Sequence, residues 1–181
     1  MAENTRTGGI EGRDDPRLSR ALRGVVIEAV AEAQRRGAPT VEAEHLLLAL
    51  SLEVAGPAAH ALAAAGLDHT GIERALRAER EAGLAAAGVA PIPDERLRAA
   101  PRLQRPRWGA SAREALVSAH RLSARTRRPG PGGRAGHGAG LGSGTADVDL
   151  LKALLAIELG TVPRALALAG IDRQAILSAA A

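Results

Sequence analysis

The sequence predicts an all-α protein: eight helices, arranged as a duplicated four-helix repeat about a pseudo-two-fold axis. Three observations carry this. Residues 56–68 and 160–172 nearly repeat each other; at an offset of 104, Gly56, Ala61, Leu62, Ala63, Ala65, Gly66 and Asp68 meet identical residues. A period of this size marks a duplicated structural unit stacked on itself. Aromatics make up 1% of the chain, with no Phe, no Tyr and one Trp. A core of Leu, Val, Ile and Ala suits close-packed helices better than a sandwich starved of aromatic residues. Finally, apolar residues recur at helical spacing in both halves.

Residues 1–17 are polar and glycine-bearing and read as a disordered lead-in. From Ser19, placed to cap, apolar residues fall at Leu22, Val25, Val26, Ala29, Val30 and Ala33, and Gly37 stops the helix. Thr40 to Glu53 reads as the second helix. Glu42 and Glu44 sit in its first turn, and Leu46, Leu47, Leu48, Leu50 and Leu52 follow. Gly56-Pro57 breaks it, Ala58 to Ala65 form a short third helix, and Asp68 or Thr70 opens a fourth reaching toward Leu84. Repeat one therefore spans 18–87. Residues 88–107 are a Pro- and Arg-rich linker, too proline-broken for a long helix. Repeat two, 108–181, restarts with a helix from Ser111 to Arg128, where Ser111 and Glu114 read as a capping box. Thr145–Leu159, Thr161–Ala169 and Asp172–Ala179 complete it, and 129–144 form a glycine-rich loop. Ala29 matches Ala119 at an offset of 90 but Thr40 matches Thr145 at 105, which implies fifteen residues inserted at the turn of Gly37-Ala38-Pro39. Both repeats are expected to form one domain, since neither buries its apolar faces alone.

Charge and composition exclude several function classes. Cysteine is absent, so disulfides and thiol chemistry are out, in keeping with a cytoplasmic protein. Neither a signal peptide nor a run of eighteen apolar residues occurs, and no membrane partner is expected. The net charge of +4 divides as −5 over residues 1–95, +10 over 96–134 and −1 over 135–181. No phosphate-binding loop is present, because the single lysine, Lys152, lies within a helix and follows no glycine loop. His45, His60, His69, His120 and His137 never fall at metal-hydrolase spacing, and no serine has a nucleophile-elbow setting. The chain is thus expected to be no enzyme and to need no cofactor or metal.

The run Thr40-Val41-Glu42-Ala43-Glu44-His45-Leu46-Leu47-Leu48-Ala49-Leu50 follows an Ala-rich helix. It resembles the "GTEHLLLGLL" motif of the Clp N-terminal (Clp R) repeat, and a glycine turn, a short helix and a Gly-Leu-Asp step follow in the same order. The family's initial phenylalanine maps onto Leu18 and Trp108. The resemblance covers 18–80 and 107–180 and implies an eight-helix, non-catalytic domain for protein or peptide binding. In the family, that domain precedes an AAA+ unfoldase that feeds the Clp protease; here no ATPase motif accompanies it. Partners implied are the Clp unfoldase, adaptors or degradation substrates, including proteins bearing phosphorylated arginine.

By the same resemblance the candidate site is the start of the second helix in each copy. Glu44 and, in the second copy, Asp149 would hold a guanidinium, while helix N–H groups take its phosphate. Ala43 and Val148 stand where the family has a threonine, and His45 reads as a packing or capping residue. The bland reading of both acids is that they complement the helix dipole. A second function reading, from another class, is a small nucleic-acid-associated regulator using the arginine belt Arg96–Arg134. Trp108, the only aromatic near that belt, is placed as a core anchor rather than a stacking platform.

Overall fold

The computed structural model describes residues 18–53, 56–90, 105–126 and 146–180. Among these residues eight helices and two short strands follow in order: α1 Arg20–Arg35, β1 Thr40–Val41, α2 Ala43–Ser51, α3 Pro57–Ala64, α4 His69–Ala86, β2 Arg107–Trp108, α5 Ala110–Thr126, α6 Asp147–Leu155, α7 Thr161–Leu168 and α8 Arg173–Ala179. The expected lead-in, most of the linker and the glycine loop lie outside the described residues.

Local chemistry sets several helix starts. The Ser19 hydroxyl accepts the Leu22 N–H at 3.1 Å, and Asp68 accepts the Gly71 N–H at 2.8 Å. Asp172 does the same for Gln174 at 2.8 Å, so α1, α4 and α8 each begin on a side-chain cap. At the end of α1, the buried Glu32 gathers Arg35, Arg36 and His69, at 2.6, 3.3 and 3.1 Å. Arg36 also reaches Glu73 on α4 at 2.6 Å. Burial alone pushes the Glu32 carboxyl up, but hydrogen bonds from Arg35 and His69 and the charge of the two arginines outweigh it and hold it low.

Packing follows the duplication. α1 lies on α2 as α5 lies on α6; α4 crosses to α7 as α3 crosses to α8; and α2 meets α6 between them. One buried apolar cluster draws on all eight helices, including Leu22, Leu46, Leu62, Ile72, Leu150, Leu154, Leu166 and Ile176. Leu18 and Trp108, placed alike before α1 and α5, are partly buried against it.

Three expectations are corrected. The second helix begins at Ala43 rather than Thr40, because Thr40 and Val41 pair in parallel with Arg107 and Trp108. Arg107 donates its N–H to the Pro39 carbonyl at 3.0 Å and Gly109 to that of Val41 at 2.9 Å. This two-residue ladder joins the halves without making a sheet layer, and the fold remains all-α. Ser111 does not cap α5, which starts one residue before it. Lastly, α6 starts at Asp147 behind Ala146, as α2 starts at Ala43 behind Glu42. The copies therefore align at 104 through this helix too, not at 105, and the insertion is fourteen residues. The matching threonines, Thr40 and Thr145, had suggested a register one residue off.

Candidate functional site

The N-terminus of α2 meets that of α5 across the repeat boundary. Ser111 accepts the Ala43 N–H at 2.9 Å and donates to Glu42 Oε2 at 2.6 Å. One hydroxyl from the second repeat thus satisfies a helix-start donor and a carboxylate of the first. Glycine at position 109 leaves room for the Glu42 carboxylate in this position, since a Cβ there would stand 1.8 Å from Glu42 Oε1.

Beside this bond lies a cavity of about 160 Å³, walled by Glu42, Ala43, Glu44, Ser111, Ile157 and the segment from Leu159 through Pro163. Its far wall is the first turn of α7, whose leading N–H groups have no partner within the helix. Leu159 stands at the wall 87% exposed, an unusual setting for leucine.

Glu44 faces this cavity half-buried, and among the described residues no cation reaches it within ion-pair distance. Burial pushes its carboxyl up from the usual carboxylate range, and the charges of Glu42 and Glu79 push further; its own N–H and Arg36 pull against them. A desolvated carboxylate among other acids is complementary to an incoming cation. A guanidinium suits it best, for its planar fork matches a carboxylate and the Ser111 and Thr161 hydroxyls offer further acceptors.

His45 turns away into the protein. Its Nδ1 accepts the Glu42 N–H at 3.0 Å, so the ring caps α2 from the third helical position. Burial, aided by the nearby Arg36 charge, holds the imidazole below its usual range, so it is neutral with its proton on Nε2.

The second copy is built differently. At the 104 offset Asp149 corresponds to His45, and Val148 to Glu44. Asp149 receives the Ser123 hydroxyl and accepts the Ala146 N–H at 3.4 Å, an internal cap rather than an open carboxylate. Val148 packs against the core and donates its N–H to Asp147 at 2.9 Å. Glu44 and Ala43 thus share one cavity, which neither Asp149 nor Val148 lines.

Asp147, where the first copy has Ala43, explains the difference. It is buried, and its Oδ2 accepts the Ala58 N–H at 3.4 Å in the first turn of α3. It sits so close that a Cβ on Gly56 would meet it at 2.5 Å. Carboxylate thus fills one helix start, whereas the methyl of Ala43 leaves space at the corresponding start of α7. Sequence reasoning missed Asp147 and the cross-repeat role of Ser111, because each bonds to the opposite repeat, and Thr161, which faces the first repeat across the cavity; no local spacing reveals such partners.

Among the described residues no cluster of three or more His, Asp or Glu gathers as metal ligands do, and no helix is long and apolar enough to cross a membrane. The family model for the Clp repeat (R) N-terminal domain matches residues 17–106. No curated protein matches the chain.

Proposed function

Because the chain belongs to the Clp repeat (R) N-terminal domain family, we propose that it is a non-catalytic protein- and peptide-binding module. It acts as adaptor, substrate receptor or competitor in Clp-dependent proteolysis in the cytoplasm. The observation that carries this reading is Glu44, a carboxylate half-buried in an open cavity with no cation paired to it among the described residues. Burying an unpaired charge is costly, and such a group persists where a ligand completes it. The ligand is a guanidinium-bearing side chain on a partner protein, with the exposed Leu159 taking the apolar residues beside it. Phosphorylation of that arginine adds an anion, for which the first turn of α7 offers the nearest N–H groups.

The second repeat has a core-packed Val148 and a capped Asp149 in the corresponding places, so the stoichiometry is one cationic side chain per chain. Fluorescence anisotropy with an arginine-bearing peptide, in plain and arginine-phosphorylated forms, tests this. Binding should weaken about tenfold in Glu44→Gln, as for loss of a charge-assisted pair, and stay unchanged in Asp149→Asn. Equal affinity in wild type and Glu44→Gln would remove the site.

A further inference from the structure

On the other side of Ile157 lies a second, larger groove of about 300 Å³ between α5 and α6. Glu114, Ser118, Arg121 and Arg125 follow one another along α5 at helical spacing on this face. Leu122 and Ile157 supply apolar wall. Its size is at the lower end of ligand-taking pockets, about 300–1,000 Å³.

Arg121 and Arg125 stand on this groove as exposed cations. Among the described residues no acid pairs with either. The first repeat shows what a satisfied version looks like. At the offset of 90, Arg125 corresponds to Arg35, which Glu28 and Glu32 bind at 2.5 and 2.6 Å. In the second repeat the places of those acids are taken by Ser118 and Leu122. Arg121 adds a cation where the first repeat has Ala31. Compared with the first repeat, the second thus has the arginine without either of its acidic partners and with a second positive charge one turn away. The adjoining cavity has the opposite sign, with Glu42 and Glu44.

We infer that this groove holds the acidic stretch of the same partner segment whose guanidinium enters the Glu44 cavity, so that the module reads a charge-ordered sequence: a basic residue, an apolar residue over Ile157, then a pair of acids. This rests on the pocket reading above and adds to it the second half of the recognition element. Both Arg121 and Arg125 are exposed, and a carboxylate pair can meet them without being taken fully from water.

The test uses the full chain and fluorescein-labelled, end-capped peptides that carry Arg, Leu and two Glu, with Arg and Glu roughly three to six residues apart, about 10–20 Å extended. One variant peptide has Gln for both Glu and another has Gln for Arg. At about 0.15 M salt the Gln-for-Glu peptide should bind wild type about fivefold more weakly, as expected for two exposed ion pairs. In Arg121→Gln/Arg125→Gln the parent peptide should fall to that same level, while Glu44→Gln should weaken parent and Gln-for-Glu peptides by equal factors. If parent and Gln-for-Glu peptides bind wild type alike, with the Gln-for-Arg peptide weaker, the groove assignment falls and the pocket stands. If the Gln-for-Arg peptide binds as well as the parent, the pocket reading fails and takes this one with it. No binding by any peptide contradicts both, and a short DNA duplex that outcompetes the parent peptide through Arg121 and Arg125 assigns the groove to nucleic acid instead. Far-ultraviolet circular dichroism of the variants confirms that the fold is intact.

Discussion

Glu44 and His45 are neighbours in sequence with opposite tasks, and their titrations separate them. The raised Glu44 carboxyl keeps its proton to a higher pH in the folded chain than in the unfolded one. Its stabilising contribution is therefore complete in acid and is lost as pH rises through the carboxylate range. Glu44→Gln should stabilise the protein at pH 7 by on the order of 1 kcal/mol, measured by urea denaturation, and the gain should shrink as pH falls toward 4. A loss of stability at pH 7 would show that the charge is already paired. His45 has the other sign: its folded imidazole resists protonation, so the contribution is present above the unfolded value of about 6.5 and is lost below it. His45→Gln, which retains an acceptor for the Glu42 N–H, should flatten the stability profile between pH 7 and 5. Ser111 is the third residue to test. Ser111→Ala leaves Glu42 and the Ala43 N–H without their shared partner and should cost about 1–3 kcal/mol, well above an ordinary exposed serine.

At the level of elements, what could be seen in advance depended on how far away the partner lies. Ser19, Asp68 and Asp172 cap helices through residues two or three positions on, so composition and spacing sufficed to place them. Ser19→Ala should cost about 1 kcal/mol, readable in the same denaturation series. Ser111 read as an equally good local cap, yet its hydroxyl serves a helix 68 residues earlier in the chain. Likewise Thr40 and Val41 follow a helical pattern but are drawn into extended pairing by Arg107 and Trp108. The register of α6 was mistaken for a similar reason: one matching threonine outweighed the repeated positions of the buried leucines. Leu150 corresponds to Leu46, Leu151 to Leu47 and Leu154 to Leu50, and all six are buried. That pattern was present in the sequence and gives the offset of 104. The Glu44 site itself was legible only through family resemblance; that it is single depends on Asp147, whose role appears only when the repeats are docked.

Across the whole molecule the doubled repeat was legible because duplication leaves identity at a fixed offset, and an aromatic-poor chain needs both halves to form a core. The buried cluster is shared by every helix, and α4 and α3 each pack on the opposite repeat. Unfolding should therefore be a single cooperative transition, and residues 18–90 expressed alone should show no cooperative thermal transition by calorimetry. The asymmetry of the site belongs to this scale as well, since two like halves present one filled and one open helix start. An arginine-bearing peptide titrated into isotope-labelled protein and followed by amide chemical shifts tests that most directly. The shifts are predicted at Ala43, Glu44, Ser111, Thr161 and Val162, with Ala146 to Leu150 unmoved. Matching movement at Val148 and Asp149, or silence around Glu44, would contradict it.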